Sequence, residues 1–310
     1  MPETPLVTIC VQTYNHENYI KECLVSLVNQ QTNFEYEIIV GEDDSSDKTR
    51  EICIKFASEH PDKIKLFLRD RNNVIYVDGK PTGRFNFMQN LKESRGKYMA
   101  LCPGDDFWID SFKLQKQFDF MEENPDYSIC YHEHIIVDEK SNFIANSKKY
   151  QDYSKEELLI APSISTATSF FKNNIKITKT FIEIPGGDLY IWHSMGLIGK
   201  GKCIPNIKSA YRIHSGGIYT ANLDNTLRHH LKSYFLILEN LPKELRHLMV
   251  DKIENRIAYQ IALAFLKLDW KKLSNINPYI KKNKDLSILN ILVKVPISTF
   301  RLLRKKIFKQ

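Results

Sequence analysis

Through the first hundred residues, short apolar runs alternate with longer stretches whose apolar side chains recur at helical spacing. The runs are Leu6–Gln12, "YEIIVGE" from Tyr36, "KIKLFLR" from Lys63 and "KYMALC" from Lys97, and each reads as a strand. Between them, Ile20, Cys23, Leu24, Leu27 and Val28 share one helical face, with Asn15 placed to cap its start. Ile52 and Phe56 mark a second helix, capped by Asp47, and Phe87, Met88 and Leu91 a third, stopped by Gly96. The polar span 70–82 reads as a loop. This β-α-β-α-β-α-β order predicts an α/β fold, with a mostly parallel central sheet covered by helices on both faces.

Ligands on such sheets bind beyond the carboxyl ends of the strands. Three of the predicted strands end in suggestive chemistry: Gln12, Tyr14 and Asn15 after the first, "GEDDSSD" after the second, "PGDDFW" after the fourth. Together they would make one acidic pocket. Asp105 and Asp106 are adjacent like charges at the end of an apolar run, which is costly unless a cation sits between them or water hydrates them. A cluster of hard carboxylates suits Mn²⁺ or Mg²⁺, with substrate phosphates completing the shell. The chain has neither G-x-x-x-x-G-K-[ST] nor G-x-G-x-x-G, so neutralising a diphosphate falls to the metal.

Further along, Asp110 can cap a helix through Leu114, Phe118 and Met121, and Ser154 with Glu157 forms a capping-box pattern. "YSICYHEHIIVD" reads as a strand, with His132 and His134 as sheet residues alternating along it. "STATSFF" reads as a strand, "PGGDLYIWHSMGLIGKG" as a helix with Asp188 near its start and Trp192 in the core, and "IKSAYRIHSGG" as a strand and turn. From Asn222 to Leu268 the pattern is helical.

The stretch from Val7 to Ile52, the segments "SRGKYMALCPGDDFW" and "GGDLYIW", and finally "YRIHSGG" occur in the order and spacing of the inverting family 2 glycosyltransferases, whose fold is GT-A, and the chain resembles that family over residues 5–218. The resemblance implies a Rossmann-like GT-A domain over 1–220, with a nucleotide-sugar half at 1–108 and an acceptor half at 109–220, followed by a helical region at 221–310. It implies that Gln12 and Tyr14 line the nucleoside pocket, Asp43 contacts the base, Asp105 faces the ribose and Asp106 binds the metal. His214 would lie by the diphosphate as a further metal ligand, and Asp188 would be the general base. The implied reaction moves a sugar from a nucleotide-sugar, a UDP-sugar above all, to a glycan or lipid-linked glycan in surface-polysaccharide assembly. Three positions depart from the family pattern: Glu42 stands where Asp is common, Asp44 where Gly is common, and Gly187 where Glu often precedes the base.

The alternatives are a nucleotidyltransferase, which should keep a basic Gly-rich loop where "QTYNHENY" stands, and a non-catalytic glycan-binding protein on the same fold. The six cysteines are scattered without a C-x-x-C pair, as expected of reduced thiols in a cytoplasmic protein. The N-terminus has no secretion-signal pattern, and no apolar run reaches about 18 residues, so neither export nor a membrane span is expected. Of the net charge of +7, residues 271–310 carry +10, from eleven Lys/Arg against Asp285, which leaves the preceding 270 residues at −3. An acidic body argues against nucleic acid as partner. The basic, amphipathic 285–310 segment predicts peripheral contact with an anionic membrane surface on the cytoplasmic side.

Overall fold

A computed structural model describes residues 5–77, 79–217, 223–267 and 286–307. The chain divides into two compact units, Met1–Asn222 and Leu223–Gln310.

The first unit opens with β1 (Val7–Thr13), α1 (Ile20–Val28), β2 (Tyr36–Glu42), α2 (Thr49–Glu59) and β3 (Ile64–Leu68). A small hairpin, β4 (Ile75–Val77) and β5 (Lys80–Thr82), stands where a loop was expected. Then come α3 (Arg84–Glu93), β6 (Tyr98–Leu101), β7 (Phe107–Trp108), α4 (Lys113–Glu123), β8 (Tyr127–Tyr131), β9 (Ile135–Val137) and β10 (Phe143–Asn146). The unit closes with α5 (Lys155–Leu159), β11 (Phe170–Lys172), α6 (Lys179–Glu183), α7 (Gly187–Gly196), β12 (Lys200–Cys203) and β13 (Ser209–Arg212).

The main sheet has seven strands in the order β12-β8-β11-β6-β1-β2-β3, and only β11 runs antiparallel to its neighbours. β1 and β2 are interior strands of it and are buried along almost their whole length, which explains their unbroken apolar character. The apolar face of α1, Ile20 through Val28, packs into the core as its spacing predicted. Each of these large side chains contributes about 1.5–3 kcal/mol by leaving water.

A second sheet, β10-β9-β13-β7, stands at the carboxyl rim of the first. The Pro103–Asp106 turn leaves β6 of the main sheet and enters β7 of the small one, so the two sheets meet at the acid pair. Here the single strand expected over Tyr127–Asp138 is broken. β8 ends at Tyr131, β9 belongs to the other sheet, and His132 and His134 do not share a strand face. His132 is fully buried, and His134 packs on Tyr150 and Tyr211. "STATSFF" divides likewise, into a 3-10 turn at Thr166–Thr168 and β11. Trp192 is fully buried against Phe171, a core residue as expected.

The second unit holds α8 (Leu223–Asn240), α9 (Arg246–Lys267) and α10 (Ile288–Ile307). α10 packs on α9 through Ile291 and Ser298, and Lys294 pairs with Asp251 and Glu254 of α9 at 2.7 and 2.8 Å. Residues 268–285, on which part of the basic tail falls, lie outside the described residues.

Candidate active site

The rim is built by turns that clasp one another. After β1 the chain turns through Asn15, whose φ of 54° is a left-handed value that asparagine tolerates. Asn15 does not cap α1; its side chain accepts the N–H of Ser46 at 2.9 Å, and its own N–H goes to Ser45 Oγ at 2.9 Å. The His16 N–H donates to Thr49 Oγ1 at 2.7 Å. Asp47 accepts from Thr49 N at 2.9 Å and from Glu17 N at 3.1 Å, so it serves the start of α2 and the β1 turn together. Asp44 has φ 61°, which explains why glycine would also suit that position. Glu42 is fully buried, accepting the Ser45 N–H and the Arg50 guanidinium, and builds the loop from inside.

The expected nucleoside residues come together beside these turns. Asp43 is buried, its N–H bonded to the Thr13 carbonyl at 3.0 Å and its carboxylate to Arg71 at 2.8 Å. The Arg71 guanidinium lies over the exposed Tyr14 ring at 4.1 Å from its centroid. Burial raises Asp43 to about 6, against the opposing pull of Arg71. The side-chain amide nitrogen of Gln12 is buried with no hydrogen-bond partner among the described residues, as a group awaiting a ligand would be. Arg71 was not foreseen; it lies in a polar stretch whose sequence carries no periodic signal.

The two carboxyls of the acid pair take different partners. Asp106 is buried, and its Oδ1 accepts the backbone N–H of Arg212 at 2.9 Å. Asp105 places Oδ2 3.0 Å from His214 Nε2 and 3.9 Å from His16 Nε2. Burial and the neighbouring charge of Asp105 push Asp106 well above the carboxylate range. Burial would raise Asp105 too, but the His214 hydrogen bond and the two imidazoles outweigh it and hold Asp105 below its ordinary value. The two carboxyls are thus pushed in opposite directions, Asp106 toward its neutral form and Asp105 toward its ionised one, which eases the contact between adjacent aspartates. Asp106, expected to hold the metal, is bonded to the Arg212 N–H, and Asp105, expected at the ribose, is the carboxyl that clusters with the histidines.

Arg212 fixes this arrangement. Its side chain is buried and donates to the Asp105 carbonyl at 2.8 Å, to Glu22 at 2.6 Å and to Ser141 Oγ at 3.0 Å. Gly104 lets the turn lie against β1: its N–H meets the Gln12 carbonyl at 2.9 Å, and a Cβ there would collide with Thr13 and His16.

Asp188 is in the first turn of α7. That helix leads into β12, which runs parallel to β8, so its N-terminus stands at the same carboxyl rim. Burial raises the Asp188 carboxyl, opposed by the Leu189 N–H and the charge of Arg84. Arg84, at the start of α3, donates to the carbonyls of Ile184 and Pro185 at 2.7 and 3.1 Å. A side chain at Gly187 would collide with the Arg84 guanidinium, so the missing glutamate leaves room for a cation beside Asp188.

A divalent ion, which the family resemblance implies, finds suitable donors here. Ligand atoms of His16, Asp105 and His214 all lie within 4.8 Å of one another. On an octahedral ion with bonds of about 2.1 Å, neighbouring ligand atoms stand about 3.0 Å apart and opposite ones about 4.2 Å. The 3.0 and 3.9 Å separations to Asp105 Oδ2 fall within that range.

A sheet with this rim is the fold of the GT-A glycosyltransferases. Staphylococcus aureus TarS 1–349, solved with UDP-GlcNAc, superposes with a TM-score of 0.63 at 14% identity, over 94% of this chain and 89% of that one. The mannosyltransferase PcManGT from Pyrobaculum calidifontis, solved with GDP-Man and Mn²⁺, gives 0.56 at 14% identity, over 96% and 88%. The model of glycosyl transferase family 2 matches residues 8–181, and the chain belongs to that family. Among its relatives, the uncharacterized protein Rv1520 of Mycobacterium tuberculosis is 29% identical over 216 residues, 67% of this chain. The chain spans 58% of that relative's length. The Escherichia coli UDP-Glc:alpha-D-GlcNAc-diphosphoundecaprenol beta-1,3-glucosyltransferase WfgD is 28% identical over 193 residues, covering 61% of this chain and 69% of that protein.

Proposed function

We propose that the chain is a metal-dependent, inverting glycosyltransferase that moves a sugar from a UDP-sugar to a glycan or lipid-linked glycan in the assembly of a surface polysaccharide. The observation that carries the reading is the rim itself, where Asp105, faced by two imidazoles, stands with an Asp43–Arg71–Tyr14 cradle. Asp43, once ionised, accepts the uracil N3–H, while Tyr14 and Arg71 offer flat faces to the base. The family and the names of WfgD and the TarS complex support the donor class.

Asp105 and His214 would hold the ion, which when bound neutralises charge growing on the leaving diphosphate. Asp188 takes the proton of the acceptor hydroxyl. The acceptor oxygen forms a bond to the anomeric carbon from the face opposite the diphosphate. The bond from that carbon to the phosphate oxygen breaks, and its electron pair leaves with UDP. A desolvated carboxylate binds a proton more readily than an exposed one, which suits a general base, and Arg84 keeps the ionised form accessible.

Peripheral contact with an anionic membrane belongs to the same proposal. Ile288, Leu289, Leu292, Val293 and Ile297 of α10 are each more than half exposed and spread over the half of the helix opposite the buried Ile291 and Ser298, while Lys294 turns back to α9. An apolar face on a segment this basic fits an anionic lipid surface. No helix among the described residues is long and apolar enough to cross a membrane.

The test is UDP release from a panel of UDP-sugars with Mn²⁺ and a lipid-linked glycan acceptor. Release is expected from at least one sugar and should vanish in Asp105→Ala. A wild-type chain that binds UDP but releases none would favour the non-catalytic alternative.

A further inference from the structure

We infer that His16 joins Asp105 and His214 in a preformed site of two imidazoles and one carboxylate, which takes a divalent transition ion before any nucleotide arrives. This rests on the reading of the rim as a nucleotide-sugar site, and adds to it a ligand, an order of binding and a choice of ion.

The geometry around His16 goes beyond what fastening the loop requires. One histidine suffices to pin Asp105, and His214 does so at 3.0 Å. His16 Nε2, at 3.9 Å from the same oxygen, is beyond hydrogen-bond reach yet within the span of two ligands on one ion. Its other ring nitrogen, Nδ1, is 3.3 Å from Thr13 Oγ1, a contact that aims Nε2 at Asp105. Ligating imidazoles are oriented in this way by a partner on the second nitrogen.

Each of the three ligands is held independently of any substrate. His16 follows the turn locked to Ser45, Ser46 and Thr49. Asp105 is held through its carbonyl by Arg212. His214 is buried, and its ring centroid is 4.8 Å from that of Tyr19. A Mg²⁺ site with one or two carboxylates waits for substrate phosphates to complete it. Three braced protein ligands need no such help. Two nitrogen donors also disfavour hard Mg²⁺, and the order expected is Zn²⁺ and Co²⁺ above Mn²⁺, with Mg²⁺ weakest.

The test titrates the full chain with Mn²⁺, with and without UDP, following free Mn²⁺ by electron paramagnetic resonance. One equivalent is expected to bind without UDP, to resist a tenfold excess of Mg²⁺, and to be displaced by Co²⁺. Electron spin-echo modulation of bound Mn²⁺ should show two coordinated imidazole nitrogens in the wild type and one in His16→Gln. That variant should bind the ion at least about tenfold more weakly. Binding only in the presence of UDP, or a single imidazole signal in the wild type, overturns the inference and leaves the proposed transferase standing. Absence of Mn²⁺ binding in both arms, together with no UDP release, would remove both.

Discussion

Asp43 and Arg71 give the residue scale its sharpest prediction. Because burial raises Asp43 to about 6, the carboxylate that would accept the uracil N3–H carries a proton below that pH and loses it above. Uridine, which has no phosphate to titrate, should therefore bind about tenfold more tightly at pH 7 than at pH 5, as the ionised fraction rises. Calorimetry on wild type and Asp43→Asn checks this; a flat wild-type profile would remove Asp43 from the base site. Asp188→Asn should lower transfer by about 10²–10⁴-fold with UDP affinity unchanged, read from product formation beside calorimetry. Arg212→Gln should cost about 2–4 kcal/mol in urea denaturation, because the carbonyls and carboxylate it serves lose a buried charged donor. The family pattern pointed to the acid pair but not to the partner each carboxyl takes. Asp106 is held by the N–H of Arg212, 106 residues away in sequence, and Asp105 by His214, partners that come into place only when β13 pairs with β7.

At the scale of elements, the strands of the parallel sheet were legible because burial on both faces leaves an unbroken apolar signature, as in β1 and β2. The helix starts were less so. Asn15 and Asp110 have the chemistry of caps, yet α1 and α4 begin at Ile20 and Lys113, and both side chains serve the preceding turns. Ser154 and Glu157, by contrast, form the predicted capping box, because both halves of that motif are local. The break between β8 and β9 was illegible, since moving a strand from one sheet to another leaves the alternation of residues intact. α10 yields the prediction of this scale. The full chain should sediment with phosphatidylglycerol vesicles far more than with phosphatidylcholine, and Leu289→Asp with Val293→Asp should abolish most of that binding. Equal sedimentation of wild type and double variant would end the membrane reading, and a concentration-dependent dimer lost in the variant would assign the face to a second copy instead.

For the whole molecule, the arrangement has one logic. Parallel strands deliver their ends to one rim, a short second sheet stands across it, and the turn joining the two carries Asp105 and Asp106. The base cradle, the histidines and the N-terminus of α7 occupy that rim because the order of strands places them there. The β-α alternation foretold the parallel half, but the antiparallel β11 and the second sheet depend on contacts distant in sequence. Diffraction at the manganese absorption edge, on crystals soaked with UDP and Mn²⁺, would locate ion and nucleotide on this rim in one measurement. The proposed site predicts one anomalous peak bonded to Asp105 and His214, with uracil against Tyr14 and Asp43. A peak on Asp106, or a nucleotide bound away from this rim, would contradict it.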